Sequence, residues 1–174
     1  TRTDGKKLKK FDVVLTNPPF GEDRAFSPKD TREKEIIECY ELWYPNIATF
    51  EKDVLNQNLY VLEIENKLIG CLVISNKMDE FYSKVKWLTA NKNNIYLHRL
   101  AIDPEFQKKG YAKQLMTFSF EYAKTKNFNS IRLDTFSGNP FNNIFYSNLG
   151  FEKLGEIYFR KQSDKPFYCF EKVI

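Results

Sequence analysis

Leu97-His98-Arg99-Leu100-Ala101-Ile102-Asp103-Pro104-Glu105-Phe106-Gln107-Lys108-Lys109-Gly110-Tyr111-Ala112 is the stretch on which the fold turns. It reads as a buried strand, a tight turn, a short basic loop with one glycine, and the start of a helix. The spacing Gln107-x-x-Gly110-x-Ala112 leaves a run of free backbone N–H groups at a helix N-terminus, where the positive end of the helix dipole reinforces them. Gly110 permits a positive φ or a close backbone approach, and Ala112 keeps the first turn open. Such a junction has the chemistry of a phosphate cradle.

Working outward, Leu59–Glu65 and Leu68–Ser75 read as two strands joined by the two-residue connection Asn66-Lys67. Lys77–Lys92 is polar and reads as a long, partly helical excursion. Ile95–Ile102 is a strand, and Gly110–Lys126 is a helix with Leu115, Met116, Phe118 and Tyr122 on its inner side. Ser130–Thr135 is the next strand, Pro140–Leu149 a helix, and Phe151–Phe159 with Phe167–Lys172 the final strand pair. Upstream, Phe11–Thr16 reads as a strand ended by Asn17-Pro18-Pro19, Asp30–Trp43 as a helix stopped by Pro45, and Glu51–Asn56 as another short helix. The fold class expected is α/β (α+β), with a single mixed, mostly antiparallel sheet flanked by helices. Strict alternation would place His98 on one face with Tyr96, Leu100 and Ile102, and Arg99 on the other.

The chain has 174 residues, enough for one domain with a sizeable core, and 42% of them are hydrophobic. Its formal net charge of +4 comes from interspersed acids and bases, which does not call for a nucleic-acid surface. Lys6, Lys7, Lys9 and Lys10 read as a solvated cluster. Cys39, Cys71 and Cys169 fall into no metal-binding or C-x-x-C spacing and read as reduced core residues of a cytoplasmic protein. No apolar run approaches the ~20 residues of a membrane span, and no signal-peptide pattern is visible. Opening on Thr1 rather than methionine, the sequence reads as a fragment or a processed chain.

A second motif lies downstream: Asn139-x-x-Asn142-x-x-Phe145-Tyr146-x-x-Leu149-Gly150-Phe151. Taken with the 97–112 stretch, it makes residues 44–174 resemble the GNAT superfamily of N-acetyltransferases. Asn142 departs from that pattern, which has a small apolar residue there. The resemblance implies a GNAT-like acyl-CoA fold with acetyl-CoA as co-substrate. It implies that Gln107, Lys108, Lys109, Gly110, Tyr111, Ala112 and Lys113 hold the pyrophosphate, chiefly through backbone N–H groups. The backbone of Leu100 and Ile102 would pair with the pantetheine arm, and Asn139 would contact it. Tyr146 stands at the family's acid position.

An alkylamine with a pKa near ~10 is mostly protonated at neutral pH, so the reaction needs a proton acceptor, and the leaving thiolate needs a donor. Tyr146 is the candidate donor, against a role as a packing aromatic. His98 is the candidate acceptor, being the one histidine of the chain and lying on the strand beside the co-substrate. A purely structural role competes with it, and Glu63 is a weaker alternative. Trp43, Tyr44 and Trp87 are candidates for an acceptor-side wall, with core or lid packing as the competing reading. The expected acceptor is an amine of a small molecule or peptide, with no membrane and no nucleic acid as partner; a homodimer is compatible with the sequence.

The leader carries a different resemblance. Phe11-Asp12-Val13-Val14-Leu15-Thr16-Asn17-Pro18-Pro19-Phe20-Gly21 is similar to the Asn-Pro-Pro-Phe region of N6-adenine DNA methyltransferases, especially type I restriction modification subunits. In that family the motif binds the target amino group and stacks on a flipped base. A methyl-donor site needs a glycine-rich strand–helix turn upstream, and only ten residues precede Phe11. The expected organisation is a methyltransferase-like leader over residues 1–43 joined to an acetyltransferase body over 44–174, the leader either filling the first strand and helix slots with Phe11–Leu15 and Asp30–Trp43 or packing poorly. Direct transfer of acetyl from acetyl-CoA to a primary amine is the activity expected. A non-catalytic acyl-CoA sensor and an inactive methyltransferase fragment are the alternatives.

Overall fold

Glu65 and Asn66 both take left-handed backbone, with φ of 49° and 63°, and so form a two-residue hairpin turn whose twist suits antiparallel strands. They join β1 (Leu59–Ile64) to β2 (Lys67–Ser75), with Ile64 opposite Lys67. The connection lies one residue earlier than expected, because Lys67 is already paired in the ladder. The computed structural model describes residues 47–160 and 162–174. The expected strand Phe11–Thr16, the expected helix Asp30–Trp43, Cys39 and Tyr44 lie outside the described residues.

The other strands are β3 (Asn94–Ile102), β4 (Ser130–Phe136), β5 (Glu152–Ile157) and β6 (Phe167–Val173). The helices are α1 (Ile47–Leu55), which starts four residues before its expected position, α2 (Tyr111–Thr125) and α3 (Pro140–Asn148). One six-stranded sheet runs in the order β1-β2-β3-β4-β6-β5. Its neighbours are antiparallel except β3 and β4, whose parallel pairing requires the crossover that α2 supplies. This is the mixed, mostly antiparallel sheet with flanking helices that the pattern of elements implied.

α2 buries Leu115, Met116, Ser119 and Ala123, a stripe at three- and four-residue spacing. The stripe packs on Leu72, Ile74, Ile95, Leu97, Ile131 and Leu133, and Tyr146, Phe151 and Phe170 continue the same core. Each fully buried Leu or Phe there stabilises by ~1.5–3 kcal/mol. Phe118, expected on the inner side, is 41% exposed and lies at the helix margin with its ring 5.1 Å from that of Tyr60.

A second core of Tyr82, Tyr96, Ile157, Phe167 and Cys169 fills the other face. The 76–93 excursion closes over it, and its helical part is one 3-10 turn over Glu80–Lys84, capped by Asp79. A buried ion pair ties that excursion down: Arg132 Nε lies 2.9 Å from Glu171 Oε1, with both side chains fully enclosed. Arg132 also donates to the Thr89 carbonyl (2.6 Å) and Asn91 Oδ1 (2.7 Å). Glu171 accepts from Thr89 Oγ1, Ser130 Oγ and the Leu88 amide at 2.5–2.6 Å. Burial pushes the Glu171 carboxyl up, but these donors and Arg132 together hold it below the usual carboxylate range. Full satisfaction of this kind is what makes a buried ion pair tolerable.

β3 serves both cores by a change of phase. It pairs Ala101 with Cys71 and His98 with Val73, so it carries one extra residue there, and Arg99 sits in that bulge at φ 54°. Ile95 and Leu97 face α2 before the bulge, and Leu100 and Ile102 face it afterwards. Tyr96 faces the opposite core. The expected common face for Tyr96, Leu100 and Ile102 is therefore corrected: one inserted residue reverses the alternation. Arg99 itself pairs with Asp53 of α1, Nε to Oδ2 at 3.0 Å.

Candidate active site

The cradle begins at Asp103, whose side chain accepts from the Glu105 amide at 2.9 Å and starts a 3-10 turn over Pro104–Phe106. Lys67 fastens this turn to the first hairpin, contacting Glu105 at 2.9 Å and lying 4.7 Å from the centre of the Phe106 ring. Gln107 turns its side chain back to donate to the Ile102 carbonyl at 3.1 Å, so it braces the loop. Lys108 (φ 59°) and Gly110 (φ 87°) then take left-handed backbone on either side of Lys109. Gly110 caps α2 without a side-chain hydrogen bond. A Cβ at position 110 would meet nothing within 4 Å, so its φ, and not crowding, is what calls for glycine.

The first helical bond that returns to this loop runs from Gln114 N to Gly110 O, at 3.1 Å. Among the described residues, the amides of Lys108, Lys109, Gly110, Tyr111, Ala112 and Lys113 donate no hydrogen bond. Six free donors at the positive end of a 15-residue helix suit a diphosphate without any particular side chain.

Directly before the cradle, the sheet forks. The last β3–β4 pair is Leu97 with Leu133, although β3 continues to Ile102 and β4 to Phe136. The two strands diverge beyond that pair, with Leu100 and Ile102 on one arm. Asn139 caps α3 at the end of the other, its side chain accepting from the Asn142 amide at 3.1 Å. Asn142 is half-buried and its Nδ2 donates to Thr135 Oγ1 at 3.3 Å, tying α3 to β4 where a small apolar residue could not.

Tyr146 projects from α3 into the α2-side core, with ring centroids 5.3 Å from Phe145, 6.0 Å from Phe151 and 5.9 Å from Phe170. Its hydroxyl makes no hydrogen bond among the described residues. Burial, and then the nearby Asp134 charge, push its phenol well above the ordinary value, so it keeps its proton.

His98 is half-buried at the fork. Burial, followed by the Arg99 charge, pushes its imidazole down to about 4, which makes it a poor proton acceptor at neutral pH. Glu63 is exposed on β1, two strands from β3, so the fold does not bring it to the fork. Trp87 is half-buried in the 76–93 excursion, donating to the Tyr82 carbonyl at 3.1 Å and covering the Arg132 guanidinium at 4.5 Å.

Asp134, which belongs to no motif in the sequence, stands at the fork. Asp134 accepts a 2.5 Å hydrogen bond from the Tyr82 hydroxyl at Oδ1. Burial raises its carboxyl to about 6, opposed by that hydrogen bond and assisted by the Asp79 charge. The signal available was positional: an acid near the end of the strand that follows the cradle helix, out of phase with Ile131 and Leu133.

A model of the acetyltransferase (GNAT) family matches residues 23–151. A Staphylococcus aureus Mu50 structure described as an acetyltransferase is 27% identical, covering 80% of this chain and 84% of its own, with a TM-score of 0.60. A Bacillus anthracis structure described as a streptothricin acetyltransferase, in complex with acetyl coenzyme A, is 21% identical over 67% of this chain and 61% of its own, at a TM-score of 0.54. The N-acetylaspartate synthetase of Danio rerio is 25% identical over 97 residues, which is 56% of this chain and 30% of that protein.

Proposed function

Because the chain belongs to the acetyltransferase (GNAT) family, and is an acyltransferase, we propose that it moves the acetyl group of acetyl-CoA directly to a primary amine of a small molecule or peptide. The observation that carries this reading is the run of six undonated amides at the head of α2, immediately beyond the strand that diverges from its neighbour. Lys108 to Lys113 would hold the pyrophosphate. The fork would take the pantetheine arm, with Leu100 and Ile102 on one side and the Asn139 end of α3 on the other.

Tyr146 would protonate the departing sulfur. A phenol that burial keeps neutral, and that donates to no protein acceptor among the described residues, still holds the proton to give when the thiolate leaves beside it. Among the described residues, Cys71 and Cys169 are unsuited to an acyl-enzyme route: both are buried, and burial pushes the Cys71 thiol up to about 11 and that of Cys169 higher still. Reduced thiols of this kind fit a cytoplasmic protein, and among the described residues no helix is long and apolar enough to cross a membrane.

The Danio rerio relative is named for making N-acetylaspartate, so free amino acids join polyamines and short peptides in the acceptor panel. Incubating the full chain with acetyl-CoA and this panel, and following free thiol, tests the reading. Acceptor-dependent thiol release is expected. Tight acetyl-CoA binding with no release from any acceptor would instead support a non-catalytic acyl-CoA sensor. We assign residues 1–43 as a leader and 44–174 as the acetyltransferase body. Limited proteolysis confined to positions before about residue 30 is the outcome expected if the leader stands apart from the body.

A further inference from the structure

The histidine anticipated as proton acceptor has lost most of its basicity in the fold, yet the fork holds a carboxylate at the matching position on the next strand. β4 sends Ile131 and Leu133 into the α2-side core, so Asp134 projects to the opposite face, where Arg132 and Phe136 also lie. Leu133 is the last β4 residue paired with β3. Asp134 is thus the first β4 residue beyond the fork, and it shares its face with His98, the first beyond it on β3. One oxygen, Oδ1, is engaged by the wholly buried Tyr82, whose ring is fixed against Trp87 (5.4 Å) and Tyr96 (5.8 Å). The other, Oδ2, makes no hydrogen bond among the described residues and is not fully enclosed, so it keeps a lone pair for one more donor.

From this geometry we propose that Asp134 takes the proton from the attacking ammonium, through Oδ2 or one intervening water, and that Tyr82 is a positioning residue that aims it. The inference rests on the acetyl-transfer reading above. The proton balance is complete without any further co-reactant. The R–NH3+ group gives one proton to ionised Asp134, and the freed nitrogen lone pair bonds the acetyl carbonyl carbon. The carbon–sulfur bond breaks and the sulfur leaves with the Tyr146 proton. The nitrogen's second proton returns to the Tyr146 oxygen, leaving one N–H on the amide. Asp134 then releases its proton to water, one per turnover.

The titratable groups around Asp134 are Tyr82 and Asp79 from the 3-10 segment and its cap and Cys169 across the β4–β6 pair, with Tyr146 of α3 within reach of its charge and His98 on the other arm of the fork. Cys169 and Tyr146 are held neutral because burial raises them, and His98 is neutral because burial lowers it. The charge that changes between pH 5 and 7 in this cluster is therefore that of Asp134, which titrates at about 6. Turnover should rise with pH through that range as the carboxylate forms.

The test measures kcat at saturating acceptor against pH, using the best acceptor among spermidine, L-aspartate and a short peptide with a free amino terminus. Acetyl-CoA affinity is followed in parallel by calorimetry. Asp134→Asn keeps the shape and an acceptor for Tyr82, and is expected to lower kcat about 100-fold or more and to abolish the acidic limb, with acetyl-CoA affinity retained. Tyr82→Phe removes a bond that favours the ionised form, so the limb should move to higher pH while the plateau falls by about tenfold at most. Should Asp134→Asn fail to fold, the limb shift in Tyr82→Phe decides the matter. A near-normal kcat with the acidic limb intact in Asp134→Asn, or an unmoved limb in Tyr82→Phe, overturns the proposal and leaves acetyl transfer standing. If the wild-type chain binds acetyl-CoA yet acetylates none of the acceptors, both readings fall.

Discussion

The two ends of the fork are built from different materials. The cradle at the head of α2 is made almost wholly of backbone: six amides, two left-handed residues and the turn that starts them. The opposite face of the sheet is made of side chains drawn from β3, β4, β6 and the 76–93 excursion, many of them buried and polar. Backbone chemistry tolerates changes of sequence, provided the φ angles survive. A side-chain network does not, because each buried polar group depends on a particular partner. The contrast separates substitutions that impair co-substrate binding from those that impair stability or turnover.

The sharpest break in that contrast lies under the 76–93 excursion. Arg132→Ala strands Glu171 in an enclosed site, and should cost about 3–5 kcal/mol in denaturant unfolding. Replacing both residues with methionine should cost much less, since the burial penalty then disappears with the charges. The pH dependence follows from the same pair. A carboxyl depressed in the folded state adds stability above its unfolded pKa, and that contribution is lost as pH falls through the folded value. The melting temperature of the wild type should therefore fall more steeply below about pH 4.5 than that of Glu171→Gln.

On the cradle side, Gly110→Glu puts a carboxylate among the six amides and an L-residue at φ 87°. Calorimetry should show acetyl-CoA affinity reduced about 100-fold or more by charge and strain together, with the fold retained. Unchanged affinity would remove the cradle from the mechanism. Tyr146→Phe sharpens the comparison from the other side: kcat should fall about 100-fold while acetyl-CoA affinity holds. The smallest effect belongs to His98→Asn. With an imidazole pushed down to about 4, its loss should change kcat less than about threefold and leave the acidic limb in place.

The sequence made the cradle legible because its parts are local. Asp103-Pro104, Gly110 and the apolar stripe of α2 all lie within one short stretch, and capping, φ preference and helical period each leave a mark there. Asn139-Pro140 likewise announced the start of α3, where the structure shows a side-chain cap followed by proline at the first helical position. The Asp134–Tyr82 contact was not legible, since its partners are 52 positions apart and come together only when the 76–93 excursion folds over the sheet. Nor was the face occupied by Leu100 and Ile102. Counting by twos along β3 fails at Arg99, and an arginine in a strand gives no sign that it occupies a bulge.

That bulge has a consequence for anyone splicing this strand into a relative. Chimeras that swap β3 must take both sides of Arg99 from one parent, because a join at 98/99 to a strand without the extra residue would exchange the roles of its two faces. Leu100 and Ile102 would then be delivered to the reaction side, and the cradle loop would leave the sheet in the wrong direction. An alignment to a strand that lacks the bulge should carry a one-residue gap at this position.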